Sequence, residues 1–243
     1  MKYLSFKKIS FLISVALFLL CITSIPAFAY VITFDDIQLN RSGIASVDSK
    51  YIPFKFVNFF AIDPDITDAY DTARPTEYYD GYRNAIISGC CVAYNGLGND
   101  ASIKTLRIYY YPYSRNYNIT QILFNWNGAY FTAAHRDNLN IKITAGYVDR
   151  YNRFVRKYSE TITVSTDRPF WFSADWKWIS WIYFSSYGGV YANGEGTQFA
   201  IDNFTYNEPF PYTPPELQRQ STSSGGTGVN PVPEPSSILL FGS

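Results

Sequence analysis

The sequence has little of what many enzymes rely on. It contains one histidine, His135, and three cysteines in 243 residues, so a zinc site made of several His or Cys ligands has no source of ligands. Glycine-rich phosphate-binding loops are absent, which leaves nucleotide chemistry without support. A Gly-x-Ser-x-Gly turn is also absent, so a Ser-His-Asp triad has no context. We expect His135 to be a surface or locally hydrogen-bonded residue.

The first 29 residues have the three parts of an export signal. A basic start holds three lysines, an uncharged apolar stretch occupies residues 11–20, and Ala27-Phe28-Ala29 has the small-x-small cleavage pattern. Because a bilayer span needs about 20 apolar residues, we predict cleavage by signal peptidase after Ala29 and no stable membrane span. Cys21 suggests lipoprotein processing as an alternative, but Leu20 stands where that motif needs a small residue.

Excess positive charge is the next thing the chain lacks. Its 20 basic and 20 acidic residues become 17 and 20 once the three leader lysines are removed. A net charge near −3 provides no basic field for a nucleic-acid backbone or an anionic membrane. Nucleic acid is therefore excluded as a partner.

Cysteine is nearly absent from the remaining chain, where only Cys90 and Cys91 are left. Adjacent cysteines can pair only through a strained eight-membered ring, even in an oxidising compartment. We therefore expect two small buried side chains, one on each side of a strand. A vicinal disulfide is the alternative.

Aromatic and β-branched residues dominate what is present. Aromatics make up 19% of the chain, and short alternating runs separated by turn residues recur between residues 30 and 207. Leu139, Ile141 and Ile143 share one face of such a run, and Ile162 and Val164 share one face of the next. This pattern predicts a hairpin within an all-β, antiparallel β-sandwich. The only helical signal is one short turn within residues 64–77.

The composition changes after Asn207. Residues 208–230 are rich in Pro, Ser and Gly, which predicts a disordered linker. Residues 231–243 then read PVPEPSSILLFGS. The box Val232-Pro233-Glu234-Pro235 followed by an apolar run resembles the start of a PEP-CTERM sorting signal, although the run is short and no basic stop follows it. The resemblance implies a truncated signal, processing by exosortase, and a secreted protein of the cell surface or extracellular matrix of a Gram-negative-type bacterium.

Two motifs of the domain itself resemble modules common in PEP-CTERM proteins. One is the opening strand Thr33-Phe34-Asp35-Asp36, and the other is the closing strand from Phe199 to Tyr206 with its Asp202-Asn203 pair. The resemblance implies a jelly-roll sandwich similar to carbohydrate-binding modules, and it implies no known enzyme activity.

Acidic residues in these two motifs suggest a metal site. If the first and last strands lie side by side, Asp202 approaches Asp35 or Asp36, and Asn203 adds another oxygen. Such oxygens suit Ca²⁺, so a structural calcium is predicted here. The alternative is that the acids accept hydrogen bonds from turn amides or face water. A second acidic set departs from the EF-hand pattern, and we expect it to be a solvated loop: Asp63, Asp65, Asp68 and Asp71.

Tryptophans are concentrated in residues 171–181, where alternation predicts that Trp176 and Trp178 share a face. Large sandwich cores need such rings, so a core role is favoured. Exposed rings would instead form a platform for sugars. In that case Trp126 and Trp176 are the expected ligand residues, with the tyrosines from Tyr109 through Tyr111 to Tyr113 as a second candidate.

These features predict an exported, non-enzymatic surface or matrix protein. A lectin-like module that binds exopolysaccharide is the first alternative. A polysaccharide-cleaving enzyme is the second, because glycoside hydrolysis needs only two carboxylates. The domain holds three glutamates, none of them in a recognisable catalytic motif: Glu77, Glu160 and Glu195.

Overall fold

The computed structural model describes residues 30–48, 50–105, 107–110, 118–149 and 153–207, and for residues 107–110 and 118–121 the backbone alone. The predicted leader, linker and sorting signal lie outside these residues. The strands are β1 (Tyr30–Ile32), β2 (Ile44–Ser46), β3 (Phe54–Val57), β4 (Phe59–Ile62), β5 (Val92–Asn95), β6 (Ala101–Thr105), β7 (Arg107–Tyr110), β8 (Asn118–Gln121), β9 (Phe124–Ala133), β10 (Arg136–Val148), β11 (Phe154–Val164), β12 (Phe170–Ile179), β13 (Trp181–Tyr191) and β14 (Phe199–Tyr206).

Two antiparallel sheets form a β-sandwich, which confirms the predicted architecture. The seven-stranded sheet has the order β12-β9-β14-β5-β4-β2, with β1 also paired to β14. The five-stranded sheet has the order β11-β10-β13-β6-β3, and β7 pairs separately with β8. The predicted hairpin is confirmed, because Ile141 lies opposite Ile162 and Leu139 opposite Val164. The first and last strands are neighbours, with Ile32 opposite Phe204.

The core lies between the inner faces of the two sheets. Ile143 and Phe184 contribute from the five-stranded sheet, and Phe131 and Phe199 contribute from the seven-stranded sheet. All four are fully buried. Trp126 lies among them, with its ring stacked on Phe204 at a centroid distance of 5.7 Å. Alternating apolar side chains on both sheets thus meet in one aromatic core.

Helices lie on the outer face of the seven-stranded sheet. They are α1 (Pro64–Tyr70), a 3₁₀ turn (Thr76–Tyr79) and α2 (Asp80–Arg83), with a second 3₁₀ turn at Gly96–Gly98. Tyr79 and Tyr82 pack on Val92 and Ala200 of the sheet. An added Cβ on Gly81 would lie 2.2 Å from the carbonyl oxygen of Ala134, so α2 approaches the sheet at a position where only glycine fits. Among the described residues, no helix is long and apolar enough to cross a membrane.

The second acidic set is not the solvated loop that we expected. Asp63 caps α1, because its carboxylate accepts hydrogen bonds from the backbone N–H groups of Asp65 and Ile66. Arg83 then forms ion pairs with Asp65, Asp68 and Asp80, of which the Asp65 contact is 2.9 Å long. The prediction was wrong because Asp65 and Asp68 pair with a cation that lies 18 and 15 residues later in the chain.

The predicted pairing of Trp176 and Trp178 on one face is also wrong. The register of β12 against β9 shifts between Ser173 and Trp176 and again between Trp176 and Ile179. Trp178 has a positive φ of 58°, and its side chain is 62% exposed, whereas Trp176 is buried. A β-bulge turns successive side chains out of strict alternation, which separates the two rings.

Candidate functional site

Two of the residues predicted to bind a ligand at the surface are buried. Trp126 and Trp176 are buried, with ring centroids 5.3 Å apart, and the Trp126 indole N–H donates to the carbonyl of Gly128 at 3.0 Å. Both rings thus have the core role that we favoured and not the platform role. For Tyr109 the structure describes the backbone alone, in β7, and Tyr111 lies outside the described residues.

Exposed tyrosines lie instead on the outer face of the five-stranded sheet. On β13, Ile182 and Phe184 point into the core and are fully buried, while Tyr183 and Tyr187 point outward and are 41% and 50% exposed. Alternation within β13 indicates that its tyrosines lie on the face opposite Ile182 and Phe184. The sequence does not show which face of the sheet is covered.

Polar residues surround these tyrosines in register. Tyr183 lies opposite Thr144 of β10 and Tyr187 lies opposite Asn140. On the other side, Tyr183 lies opposite Ser102 of β6. Thr163 of β11 lies opposite Asn140 and donates a hydrogen bond to its side-chain oxygen at 2.9 Å. We call this surface, between the Asn140 and Gly146 positions of β10, the open face.

The charges on the open face are positive. Lys142 lies between the two tyrosine positions, opposite Ser185 of β13 and Thr161 of β11. Lys104 lies opposite both Trp181 and Lys55. No acidic residue occupies an outward register position between Asn140 and Gly146 among the described strands. A cationic surface of this kind attracts anions, although the formal net charge of the full sequence is zero.

The acids predicted as calcium ligands bind the segment from Ile87 to Cys91. The carboxylate of Asp202 accepts hydrogen bonds from the N–H groups of Ile87 and Ser88, at 2.8 and 3.2 Å, and from that of Asn203. Burial raises the pKa of Asp202 to about 7, although these three N–H donors act to lower it. Asp202 is thus a buried acid that holds a connecting segment against the outer face of the seven-stranded sheet.

The other predicted ligands have separate partners. Asp35 accepts hydrogen bonds from the N–H groups of Cys90 and Cys91. Asp36 accepts one from the Tyr51 hydroxyl and pairs with Lys50 at 3.4 Å. The side-chain oxygen of Asn203 accepts a hydrogen bond from the Ser88 hydroxyl. The neighbouring first and last strands do bring these residues to one region, where the oxygens serve amide and hydroxyl donors. The calcium site stays a prediction.

The cysteine pair differs from our expectation. Cys90 is exposed and Cys91 is buried, and both precede β5 instead of facing opposite sides of a strand. Their sulfur atoms are 2.9 Å apart. The expected alternation is lost because the Asp35 carboxylate holds the two consecutive amides, so the backbone here turns and is not extended.

His135 is buried, although a surface position was one of the two that we expected for it. Its ring lies 4.3 Å from the ring of Tyr78 and 5.4 Å from that of Tyr82, measured between centroids. Burial lowers its pKa to about 4. The tyrosines come from the 3₁₀ turn and α2, so the helical layer covers His135 and gives it a packing role.

Comparisons with known proteins find only distant structural similarity. No protein family matches the sequence, and no curated protein does. A DUF4465 family protein from Bacteroides caccae is 12% identical, with 77% of this chain and 96% of that chain covered and a TM-score of 0.41. TmCBM61, solved with β-1,4-galactotriose, is 9% identical, with 65% and 90% covered and a TM-score of 0.31. The K2 adhesin domain of Lys-gingipain is 8% identical, with 74% and 100% covered and a TM-score of 0.38. At these values the similarity identifies no ligand.

Proposed function

We propose that this protein is an exported, non-enzymatic surface module that binds acidic exopolysaccharide through the open face. The observation that carries the proposal is the pair of exposed tyrosines, Tyr183 and Tyr187, on a sheet face whose nearby charges are lysines. The export leader and the PEP-CTERM-like box support a location outside the cell.

The spacing of the tyrosines suits a chain of sugars. Tyr183 and Tyr187 lie four residues apart on one side of β13, which is about 13 Å along a strand. This distance exceeds the length of one pyranose ring, so the two rings would contact different sugars of one polymer. The C–H groups of a sugar stack on an aromatic face, while hydroxyl and amide groups such as those of Thr161 and Asn140 can bond the sugar hydroxyls.

The lysines give the open face its preference among polysaccharides. Lys142 is exposed between the tyrosines, and a carboxylated sugar could pair with it. The attraction should weaken as salt is added, because exposed charges are screened over about 8 to 10 Å at physiological ionic strength. Hydrolysis would need two carboxylates near the bound chain, and the outward positions of the open face provide none.

The test is affinity electrophoresis of the mature chain in gels that contain polygalacturonate or, for comparison, neutral dextran. We expect polygalacturonate to retard the natural chain. Tyr183→Ala should lower the affinity about tenfold or more, which corresponds to a loss of at least about 1.4 kcal/mol of binding free energy. Binding by Lys142→Gln should depend less on salt than binding by the natural chain. Tyr70→Ala is the matched control, since Tyr70 is an exposed tyrosine of α1 on the opposite sheet. Equal losses of affinity for Tyr183→Ala and Tyr70→Ala would contradict the proposal. Release of reducing ends from the polysaccharide would contradict it as well.

Sorting by exosortase is the second part of the proposed function and rests on Val232-Pro233-Glu234-Pro235. Its test is to express the full-length protein in a PEP-CTERM host with and without exosortase, together with a Glu234→Ala variant. We expect surface-bound protein only when both exosortase and Glu234 are present. Surface protein that persists without exosortase would refute sorting while leaving polysaccharide binding intact.

A further inference from the structure

We propose that Asp35, Cys90 and Cys91 form a binding site for a thiophilic divalent cation of the Zn²⁺ or Cd²⁺ type. One ligand atom from each of these three side chains can be chosen so that all lie within 4.8 Å of one another. Two thiolates and one carboxylate are ligands that such cations accept, with water able to complete a tetrahedron.

The site is held together by the backbone around it. Oδ1 of Asp35 accepts hydrogen bonds from the N–H groups of both cysteines, at 2.9 and 3.1 Å. In the described part of the chain, its other oxygen, Oδ2, accepts no hydrogen bond, so it remains for a cation. Gly89 has a φ of +62°, and a Cβ placed there would lie 2.0 Å from Cγ of Asp35. Only glycine lets this segment pass so closely over the carboxylate.

Asp202 fixes the other end of the same segment. Its carboxylate accepts hydrogen bonds from the N–H groups of Ile87 and Ser88, which lie three and two residues before Cys90. With Asp35 at one end and Asp202 at the other, the segment from Ile87 to Cys91 is anchored on the sheet. The two sulfur atoms lie side by side, 2.9 Å apart. They must move apart by about 1 Å to bind one cation at metal–sulfur distances of about 2.3 Å in a tetrahedron.

A thiol must lose its proton before its sulfur binds a metal ion, so binding at this site releases protons to the solvent. Cys90 is exposed and gives the cation access.

The experiment is titration of the reduced mature chain, purified from periplasm, with Cd²⁺ in the presence of excess Mg²⁺. We expect a thiolate-to-Cd²⁺ charge-transfer band that saturates at one ion per chain, with release of protons. Cys90→Ser and Cys91→Ser should each weaken binding strongly. Asp35→Asn keeps an oxygen for the two amides but removes the charge, and we expect an affinity loss of about tenfold or more.

Asp36→Asn is the matched control, because Asp36 is the next acid in the chain but contacts Tyr51 and Lys50 instead. Its affinity for Cd²⁺ should equal that of the natural chain. Circular dichroism of each variant checks that the fold is retained. Because Cys90 is exposed, Cys90→Ser should not disturb the core. The proposal fails if no band forms, if binding survives loss of either thiol, if Asp35→Asn behaves as Asp36→Asn does, or if mass spectrometry finds the pair oxidised in periplasmic protein.

Discussion

Two buried residues should make the free energy of unfolding of the sandwich depend on pH in opposite directions. Single substitutions can separate the two effects. Asp202 and His135 are both buried polar residues, 0% and 1% exposed. Burial raises the pKa of Asp202 to about 7 and lowers that of His135 to about 4. Their ordinary pKa values in an unfolded chain are 3.8 and 6.5.

The signs follow from which state holds the proton. Between pH 4 and 7 the folded chain keeps a proton on Asp202 that the unfolded chain has lost, so this group raises the free energy of unfolding as the pH falls. Between pH 6.5 and 4 the unfolded chain protonates its histidine while the folded chain does not, so His135 lowers the free energy of unfolding over nearly the same range. At about 1.4 kcal/mol per pKa unit, the two contributions are about 4 and 3 kcal/mol.

Urea denaturation followed by tryptophan fluorescence from pH 4 to pH 7.5, with a chelator present, measures both contributions. The Asp202→Asn variant retains an oxygen for the Ile87 and Ser88 amides but cannot titrate. Relative to this variant, the natural chain should gain about 4 kcal/mol of stability as the pH falls from 7 to 4. For His135→Gln the difference should have the opposite sign and reach about 3 kcal/mol.

A pH-independent difference between the natural chain and Asp202→Asn would refute this reasoning. It would mean that the three N–H donors around Asp202 offset the cost of burying its charge, and that the carboxylate titrates at an ordinary pKa. In Asp202→Asn only the His135 effect remains, so this variant should lose stability steeply between pH 6.5 and 4. The same steep loss in the natural chain would lead to the same conclusion.

Three further outcomes test the packing and the predicted metal. Trp126→Ala should lower the free energy of unfolding by about 3 to 5 kcal/mol, because a fully buried ring is lost, whereas Trp178→Ala should change it by less than about 0.5 kcal/mol; equal effects in urea denaturation would contradict the assignment of core and surface. Gly81→Ala should cost about 1 to 3 kcal/mol, because its Cβ would collide with the carbonyl of Ala134, and an unchanged midpoint would argue against the close approach of α2. If the acids around Asp202 hold structural calcium, a chelator should lower the melting temperature and added Ca²⁺ should restore it; an unchanged temperature in both conditions rules the calcium site out.

The sandwich itself could be predicted because its signal is local. Leu139, Ile141 and Ile143 alternate with polar residues, and a strand places alternate side chains on opposite faces whatever surrounds it. The same property predicted the hairpin with Ile162 and Val164, and the register confirms it. It also explains the failure at Trp178, since a β-bulge changes the alternation and leaves no clear trace in composition.

The amino-acid sequence by itself thus determined the strand pattern, the antiparallel pairing of its best hairpin and the aromatic character of the core. Only the tertiary structure decided which rings stay exposed, because this depends on the elements that cover each sheet. The helical layer covers the seven-stranded sheet and buries His135, while Tyr183 and Tyr187 remain accessible on the other sheet. The partners of Asp35 and Asp202 were likewise set by contacts between residues more than 50 positions apart. Periodicity along a chain reports the faces of a strand, but burial and charge pairing depend on what the rest of the chain places against them.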